Sequence, residues 1–286
     1  MATDDYSDWI GRSETRHDIA TAAPLVGLAA LLDQDPTPPV TVPPLGHWLY
    51  FLPDARQSAI GGDGHPHRDE GGLLPPVPLP RRMWAGGRVE FLAPIDVGAA
   101  LTRVTTIAAI RAKRGASGDL LFVTLQHDIA ADGALAIREE QDIVYRSAAT
   151  HAPASTAPAI VTADGAQEPA EAIRHIVPDP VLLFRYSALT FNAHRIHYDR
   201  DYARHVEGYD GLVVHGPLIA TLLVDHARRE MSGLAPQHFS FRAEAPLFDT
   251  AAFDLCLAHS DYKLNLWAKD PFGRTAMRAE LKYRTD

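Results

Sequence analysis

Phe91-Leu-Ala-Pro-Ile-Asp-Val-Gly-Ala-Ala100 and Arg242-Ala-Glu-Ala-Pro-Leu-Phe-Asp-Thr-Ala251 share an Ala-Pro step, an apolar residue directly after it and an aspartate close behind. Each copy is followed by segments in which apolar and polar residues alternate: 101–110, 120–129 and 136–145 in the first, 252–257, 262–268 and 275–283 in the second. Each also closes on a Tyr-Arg pair, Tyr145-Arg146 and Tyr283-Arg284. A period of two sends successive side chains to opposite faces, so these segments are strands with one buried face. The repeat implies two related antiparallel sheets in an α+β chain. Residues 147–172, rich in Ala, Pro, Ser and Thr, read as a linker or as an ordered loop lying across the sheets. The expected division is 1–146, 147–172 and 173–286.

The copies differ before their Ala-Pro strands. In the second, residues 218–231 form an apolar run behind Gly216-Pro217 and ahead of Gly233, the start and stop signals of a helix. In the first, residues 52–86 are crowded with Pro and Gly and hold no helix of that length. A central helix is therefore expected in the second copy and a degenerate one in the first, leaving room there for a bulky group. Residues 15–32 have helical apolar spacing interrupted by Pro24, where a structural helix begins or kinks.

Composition removes several classes of function. With 27 Lys and Arg against 36 Asp and Glu, the net charge of −9 offers no basic face for nucleic acid. Cys256 is the one cysteine, which excludes a disulfide framework and points to a reducing compartment; in its alternating segment it reads as a small buried hydrophobe. The N-terminus is acidic and unlike a signal peptide, and no apolar stretch reaches membrane-spanning length. The expectation is a cytoplasmic protein with no nucleic-acid or membrane partner, active as a monomer or homodimer. No glycine-rich dinucleotide or P-loop fingerprint is present.

Chemistry-bearing residues concentrate in Phe184-Arg-Tyr-Ser-Ala-Leu-Thr-Phe-Asn-Ala-His-Arg-Ile-His-Tyr-Asp199, read here as an aromatic strand end running into Asn192, His194, His197 and Asp199. Gly211-Leu-Val-Val-His-Gly-Pro217 follows and opens the helix. A helix start beside two histidines is a plausible oxyanion site. This pattern resembles the MaoC-like (R)-specific hydratases of the hot-dog fold, whose motif is Asp-x-Asn-Pro-x-His followed by a Gly-Pro helix start. It is most similar to the branch containing mesaconyl-CoA and itaconyl-CoA hydratases and mitochondrial-type 3-hydroxyacyl-thioester dehydratases. In that branch residues 190–199, 207–217 and Pro80-Arg-Arg-Met-Trp-Ala-Gly-Gly87 all have counterparts. The resemblance implies a double hot-dog fold and a lyase acting on an acyl-CoA substrate, with no cofactor beyond the coenzyme A of that substrate and no metal. One departure stands out: with His197 aligned to the family's histidine, Asn192 occupies the place of its aspartate, and an amide takes no proton from water.

Hydration of an enoyl thioester needs a group to deprotonate water, a proton for the α carbon and stabilisation of charge on the thioester oxygen. His197 fills the first role, with Asn192 holding the water, and the Gly216 N–H at the helix start is the oxyanion donor. Glycine suits that place because the thioester must approach the backbone. His194 is either a second acid or base or the partner that fixes the tautomer of His197. His215 either holds the loop or touches substrate, and Tyr198, with Tyr202 and Tyr209, lines the pocket or packs beneath the loop. Arg81 and Arg82, beside Trp84, suit either the phosphates of coenzyme A or a free carboxylate on the acyl group, or form a solvated loop charge with Trp84 in the core. Arg111, Lys113 and Arg114 read as a solvated hairpin tip. Asp199 is expected to cap a short helix containing Tyr202 and Ala203, rather than to join His194 and His197 around a metal. Alternatives to the hydratase of a C5 dicarboxylyl thioester are a dehydratase of fatty-acid type, a thioesterase and a non-catalytic acyl-CoA binding protein.

Overall fold

A computed structural model of the chain describes residues 6–67, 71–115, 118–146 and 169–284. The linker expected at 147–172 falls almost wholly outside them. The first half contains β1 (Ser13–Ile19), α1 (Ala22–Leu31), β2 (Arg81–Phe91), β3 (Ala100–Gly115), β4 (Gly118–Ala131) and β5 (Ala134–Arg146). The second contains β6 (Ala172–Ile176), α2 (Pro180–Thr190), α3 (Arg200–His205), α4 (Gly216–Glu230), β7 (Ala235–Ala243), β8 (Phe253–Ser260), β9 (Lys263–Lys269) and β10 (Thr275–Arg284).

The strands form one sheet of ten, not two sheets, in the order β1-β3-β4-β5-β2-β7-β10-β9-β8-β6. Read outward from the centre, the second, fifth, fourth, third and first strands of each half follow in turn, so the halves repeat the same topology about the β2–β7 seam. That seam is antiparallel, from Gly86 opposite Arg242 to Glu90 opposite His238. Its close approach depends on glycine: a Cβ on Gly86 would lie 2.5 Å from the Phe241 carbonyl oxygen, and one on Gly87 2.8 Å from that of Glu140.

The sequence repeat is reproduced bond for bond. The N–H groups of Leu92 and Ala93 both donate to Ala136, and those of Glu244 and Ala245 both donate to Ala276. Val42 donates to Ile95 as Val214 does to Leu247, at 2.8 Å in each half. After Val214 the chain enters α4, which runs inside the curve of β8, β9 and β10 and is buried on every side from Leu218 to Ala227. After Val42 it makes only a single 3-10 turn, Gly46–Leu49, which sets Leu45, Leu49, Tyr50 and Phe51 into the core. The missing helix is thus replaced by packed side chains. Ten consecutive buried residues bring roughly 2 kcal/mol for each large apolar side chain, which outweighs burying Asp225, whose carboxylate accepts from Gln34, Arg174 and Arg229.

The observed elements refine the expectations from the sequence, and the helix expected to begin or kink at Pro24 does begin there. Residues 180–190 are helix α2, not a strand end: Asp179 caps it by accepting from Leu182 N–H at 2.8 Å, and Pro180 sits in its first turn. Residues 13–19 are strand β1, and only from Ala22 does the chain become helical, with Pro24 in the first turn. Helices α1 and α2 pack together where Gly27 admits Leu189. Arg81 and Arg82 also stand in strand β2 rather than in a loop.

Candidate active site

Helix α2 ends on Phe191, in the left-handed region at φ 48°, and the chain turns into the loop that carries Asn192, His194 and His197. The Asn192 side-chain oxygen accepts from the His194 N–H at 3.0 Å and so helps to shape the loop. Asp199 then caps α3 as expected, accepting from Tyr202 N–H at 3.0 Å, while its other oxygen binds Arg195 at 2.7 Å. With both oxygens engaged, Asp199 is not held with His194 and His197 as a metal set.

His197 is 7% exposed. Its Nδ1 lies 2.7 Å from the Val213 carbonyl, which can only accept, so Nδ1 carries the proton and Nε2 keeps its lone pair. Val213 fixes the tautomer; His194 does not. Burial pushes the His197 imidazole down to about 4, more than the Val213 bond raises it, so the ring is neutral at pH 7. His215, 1% exposed, stacks on His197 with ring centres 3.7 Å apart, and its Nε2 meets Ser187 Oγ at 2.9 Å. His215 is thus buried against His197 and Ser187.

His194 stands edge-on to His197, with ring centres 5.5 Å apart, and burial followed by its histidine neighbours pushes it down to about 2. Beyond it comes a part of the site that sequence reasoning missed. The turn Gly61-Gly-Asp-Gly-His65 of the first half lies directly on the loop that carries Asn192, His194 and His197. Asp63 accepts Arg195 N–H at 2.9 Å, and the Arg195 guanidinium donates to the Gly62 carbonyl. Gly64 has φ +93°, and a Cβ there would stand 1.8 Å from the Ala193 carbonyl oxygen, so only glycine permits the contact. His65 Nδ1 donates to Asp63 at 3.1 Å, and the His65 ring lies 4.2 Å from that of His194. Asp63, His65 and His194 bring one carboxylate oxygen and two ring nitrogens within 4.8 Å of one another. The signal was present as two histidines and an aspartate among three glycines, masked by the same residues' value as helix breakers.

Helix α4 begins at Gly216, whose N–H has no intrahelical acceptor. A Cβ on Gly216 would meet nothing nearer than the Trp84 carbonyl oxygen at 3.9 Å, so the glycine leaves open space beside that N–H. Trp84 itself packs edge-on against Trp48 and Phe241. Arg81 is turned away to Glu207, bonding both its carboxylate and its carbonyl. Arg82 has no carboxylate partner among the described residues and faces His194 closely enough to disfavour its charging. Tyr198 is exposed and donates to the Ala193 carbonyl, while Tyr202 lies under the Arg195 guanidinium. Arg111 and Lys113 are exposed near the end of β3.

A duplicated, helix-wrapping antiparallel sheet with a neutral histidine beside a helix N-terminus defines the chain as a double hot-dog protein of the MaoC-like hydratase and dehydratase class. Residues 45–249 match the family model for hydroxyacyl-thioester dehydratase type 2, and the chain belongs to that family. It is 47% identical over 285 residues, 99% of each chain, to the mesaconyl-C(4)-CoA hydratase of Chloroflexus aurantiacus. It is 37% identical to the mitochondrial hydroxyacyl-thioester dehydratase type 2 of Schizosaccharomyces pombe, over 32% of this chain and 30% of that one. Its fold is that of a MaoC-like dehydratase from Phytophthora capsici, with a TM-score of 0.68 at 13% identity over 96% of both chains. A Mycobacterium tuberculosis protein with a double hotdog fold aligns at a TM-score of 0.55 and 15% identity, over 96% of each chain. The chain is thus an enzyme of the hydratase and dehydratase type. No helix among the described residues is long and apolar enough to cross a membrane.

Proposed function

We propose that this enzyme adds water reversibly to a C5 dicarboxylyl enoyl thioester of coenzyme A, taking mesaconyl-CoA or itaconyl-CoA to citramalyl-CoA. The observation that carries this reading is the neutral, tautomer-locked His197, held by Val213 and stacked on His215, the residue that precedes the first turn of α4. His197 Nε2 draws a proton from water as the oxygen adds to the β carbon. The Asn192 amide orients that water, and the Gly216 N–H, helped by the positive end of the α4 dipole, takes up charge on the thioester oxygen. Arg82, free of any carboxylate partner among the described residues, suits the second carboxylate of the acyl group. Similarity to a mesaconyl-C(4)-CoA hydratase along the whole chain supports this substrate class. The chemistry needs no redox cofactor and no metal, and a reducing, cytoplasmic setting fits the single buried Cys256. Because the halves already join through β2 and β7, a monomer and a homodimer are both consistent with this reading.

Absorbance and mass assays with mesaconyl-CoA, itaconyl-CoA and crotonyl-CoA test this on wild type and His197→Ala. One water gained on an intact thioester, lost in the variant, is expected. Free thiol would instead indicate hydrolysis, and saturable binding without turnover would indicate a binding protein; either result overturns the reading.

A further inference from the structure

Strands β3, β4 and β5 are the counterparts of those that wrap α4, yet their inner face carries a polar row. Thr105, His127 and Glu139 stand opposite one another across the three strands, and all are buried. Apolar residues bracket the row: Leu125 and Ile129 flank His127 on its side of β4, and Ile137 lies two residues before Glu139 on β5. Glu139, 2% exposed, accepts from His47 Nε2 at 3.0 Å, Trp48 Nε1 at 2.9 Å and Gln141 Nε2 at 2.9 Å. Burial raises its carboxyl, but the His47 bond and the neighbouring histidines outweigh this and keep it ionised. Well-packed apolar side chains commonly stabilise a core as well as a buried ionic group does. The distinctive effect of this network is therefore to fix the groups it binds, and two of them come from the turn Gly46–Leu49.

Trp48 is the one residue of that turn that is not buried. Its ring stands edge-on to Trp84, with centres 5.0 Å apart, and to Phe241, with centres 6.1 Å apart. Trp84 is likewise only half-buried, and its Nε1 donates to the Gly86 carbonyl at 2.8 Å. Both indoles are thus tied by their N–H groups. The Trp84 carbonyl is also the group nearest to the open space beside the Gly216 N–H.

We propose that Trp48, locked in place by Glu139, is the end wall of the acyl pocket and limits this enzyme to short acyl groups. The proposal rests on the hydratase reading above and specifies which substrates that site admits. A thioester whose oxygen lies on the Gly216 N–H sets its acyl chain beside Trp84, and a chain that continues meets the Trp48 ring. The ring cannot step aside, because Glu139 holds its N–H while Trp84 and Phe241 pack against it. An apolar chain that displaced it would meet an ionised carboxylate behind. Trp48 therefore occupies the room that the missing helix was expected to leave. It is a specificity-determining residue, and Glu139, acting through it, is a positioning residue.

The test uses full-length wild type, Trp48→Ala, Trp48→Leu, Glu139→Ala and Glu139→Gln. Hydration is measured as kcat/KM for trans-2-octenoyl-CoA and for whichever of mesaconyl-CoA and crotonyl-CoA wild type hydrates faster. The readout is the ratio of the long substrate to the short one, which does not depend on how much of a variant is folded. Wild type should favour the short substrate by about 100-fold or more, and Trp48→Ala should raise the ratio by about 10-fold or more through a gain on octenoyl-CoA. Trp48→Leu, which leaves a smaller void, should move it in the same direction. Glu139→Ala, which releases the indole N–H, should raise the ratio by about threefold or more, and Glu139→Gln, whose amide oxygen still accepts that N–H, should restore the wild-type value. A merely structural loss lowers both rates together and leaves the ratio unmoved. A wild type indifferent to chain length, or an unmoved ratio in Trp48→Ala and Trp48→Leu, would overturn the proposal, and an unmoved ratio in Glu139→Ala would overturn the part given to Glu139. A wild type that hydrates no enoyl thioester overturns the hydratase reading itself, whereas an active wild type whose ratio Trp48 does not control overturns only the wall.

Discussion

Acidification should destabilise this fold through His197 by an amount the structure sets. The ring is buried as the neutral imidazole, with its pKa pushed from 6.5 to about 4. As pH falls, the unfolded chain therefore takes up a proton that the folded chain refuses. Stability is whole above pH 6.5, is lost as pH falls toward 4, and loses nothing more from this group below that. At about 1.4 kcal/mol per pH unit the interval amounts to about 3 kcal/mol. His215, stacked on His197 and sealed as deeply, is pushed the same way and steepens the loss. Urea unfolding followed by circular dichroism at pH 7, 6, 5 and 4 measures this on wild type and His197→Gln. Carboxylates that titrate in both proteins cancel, and wild type should lose about 3 kcal/mol more than the variant between pH 7 and 4. Identical pH dependence in the two proteins would refute the buried neutral imidazole and the orientation built on it.

Other outcomes follow from particular contacts. Gly64→Ala forces a side chain onto the Ala193 carbonyl at positive φ; it should cost about 1–2 kcal/mol in thermal unfolding and reduce kcat/KM by at least about 10-fold, as the turn is pushed off His194. Asp225→Ala, which leaves Arg174 and Arg229 without their buried partner, should destabilise the protein by about 3 kcal/mol in urea. Arg81→Ala should lower stability by about 1 kcal/mol with little change in KM, since that guanidinium serves Glu207. Arg82→Ala should raise KM for a dicarboxylyl thioester by about 10-fold while sparing crotonyl-CoA, a loss of about 1.4 kcal/mol in steady-state kinetics.

What the sequence disclosed, and what it hid, followed the range of the interactions involved. The Ala-Pro repeat, six of the strands, the α4 start and the Asp199 cap were legible because alternation, a Gly-Pro pair and a capping side chain are local signals. Helix α2 was misread because the aromatic content of its segment suggested a strand end, although Asp179-Pro180 is a helix start. That the sheets are one depended on Gly86 and Gly87 meeting Phe241, a contact between residues far apart in the chain. His197 and Gly216 were singled out through motif spacing. The contact of His65 with His194 was not, since it exists only once the first half is laid against the second. The opposite assignments of Arg81 and Arg82, one on Glu207 and one without a carboxylate partner among the described residues, were equally invisible, because adjacent strand residues point to opposite faces and the partners of each are set by the fold.

The single turn Gly46–Leu49, standing where the other half has a long helix, marks a division of labour between duplicated copies. A copy that must wrap a helix has its loops committed to closing over it. The copy released from that duty kept a long segment between its first helix and second strand, and this segment reaches across to the neighbour's histidines. Substitutions in that segment should therefore register as losses of turnover before losses of fold, and the two halves expressed as separate chains should each lack chemistry that returns only when they are recombined.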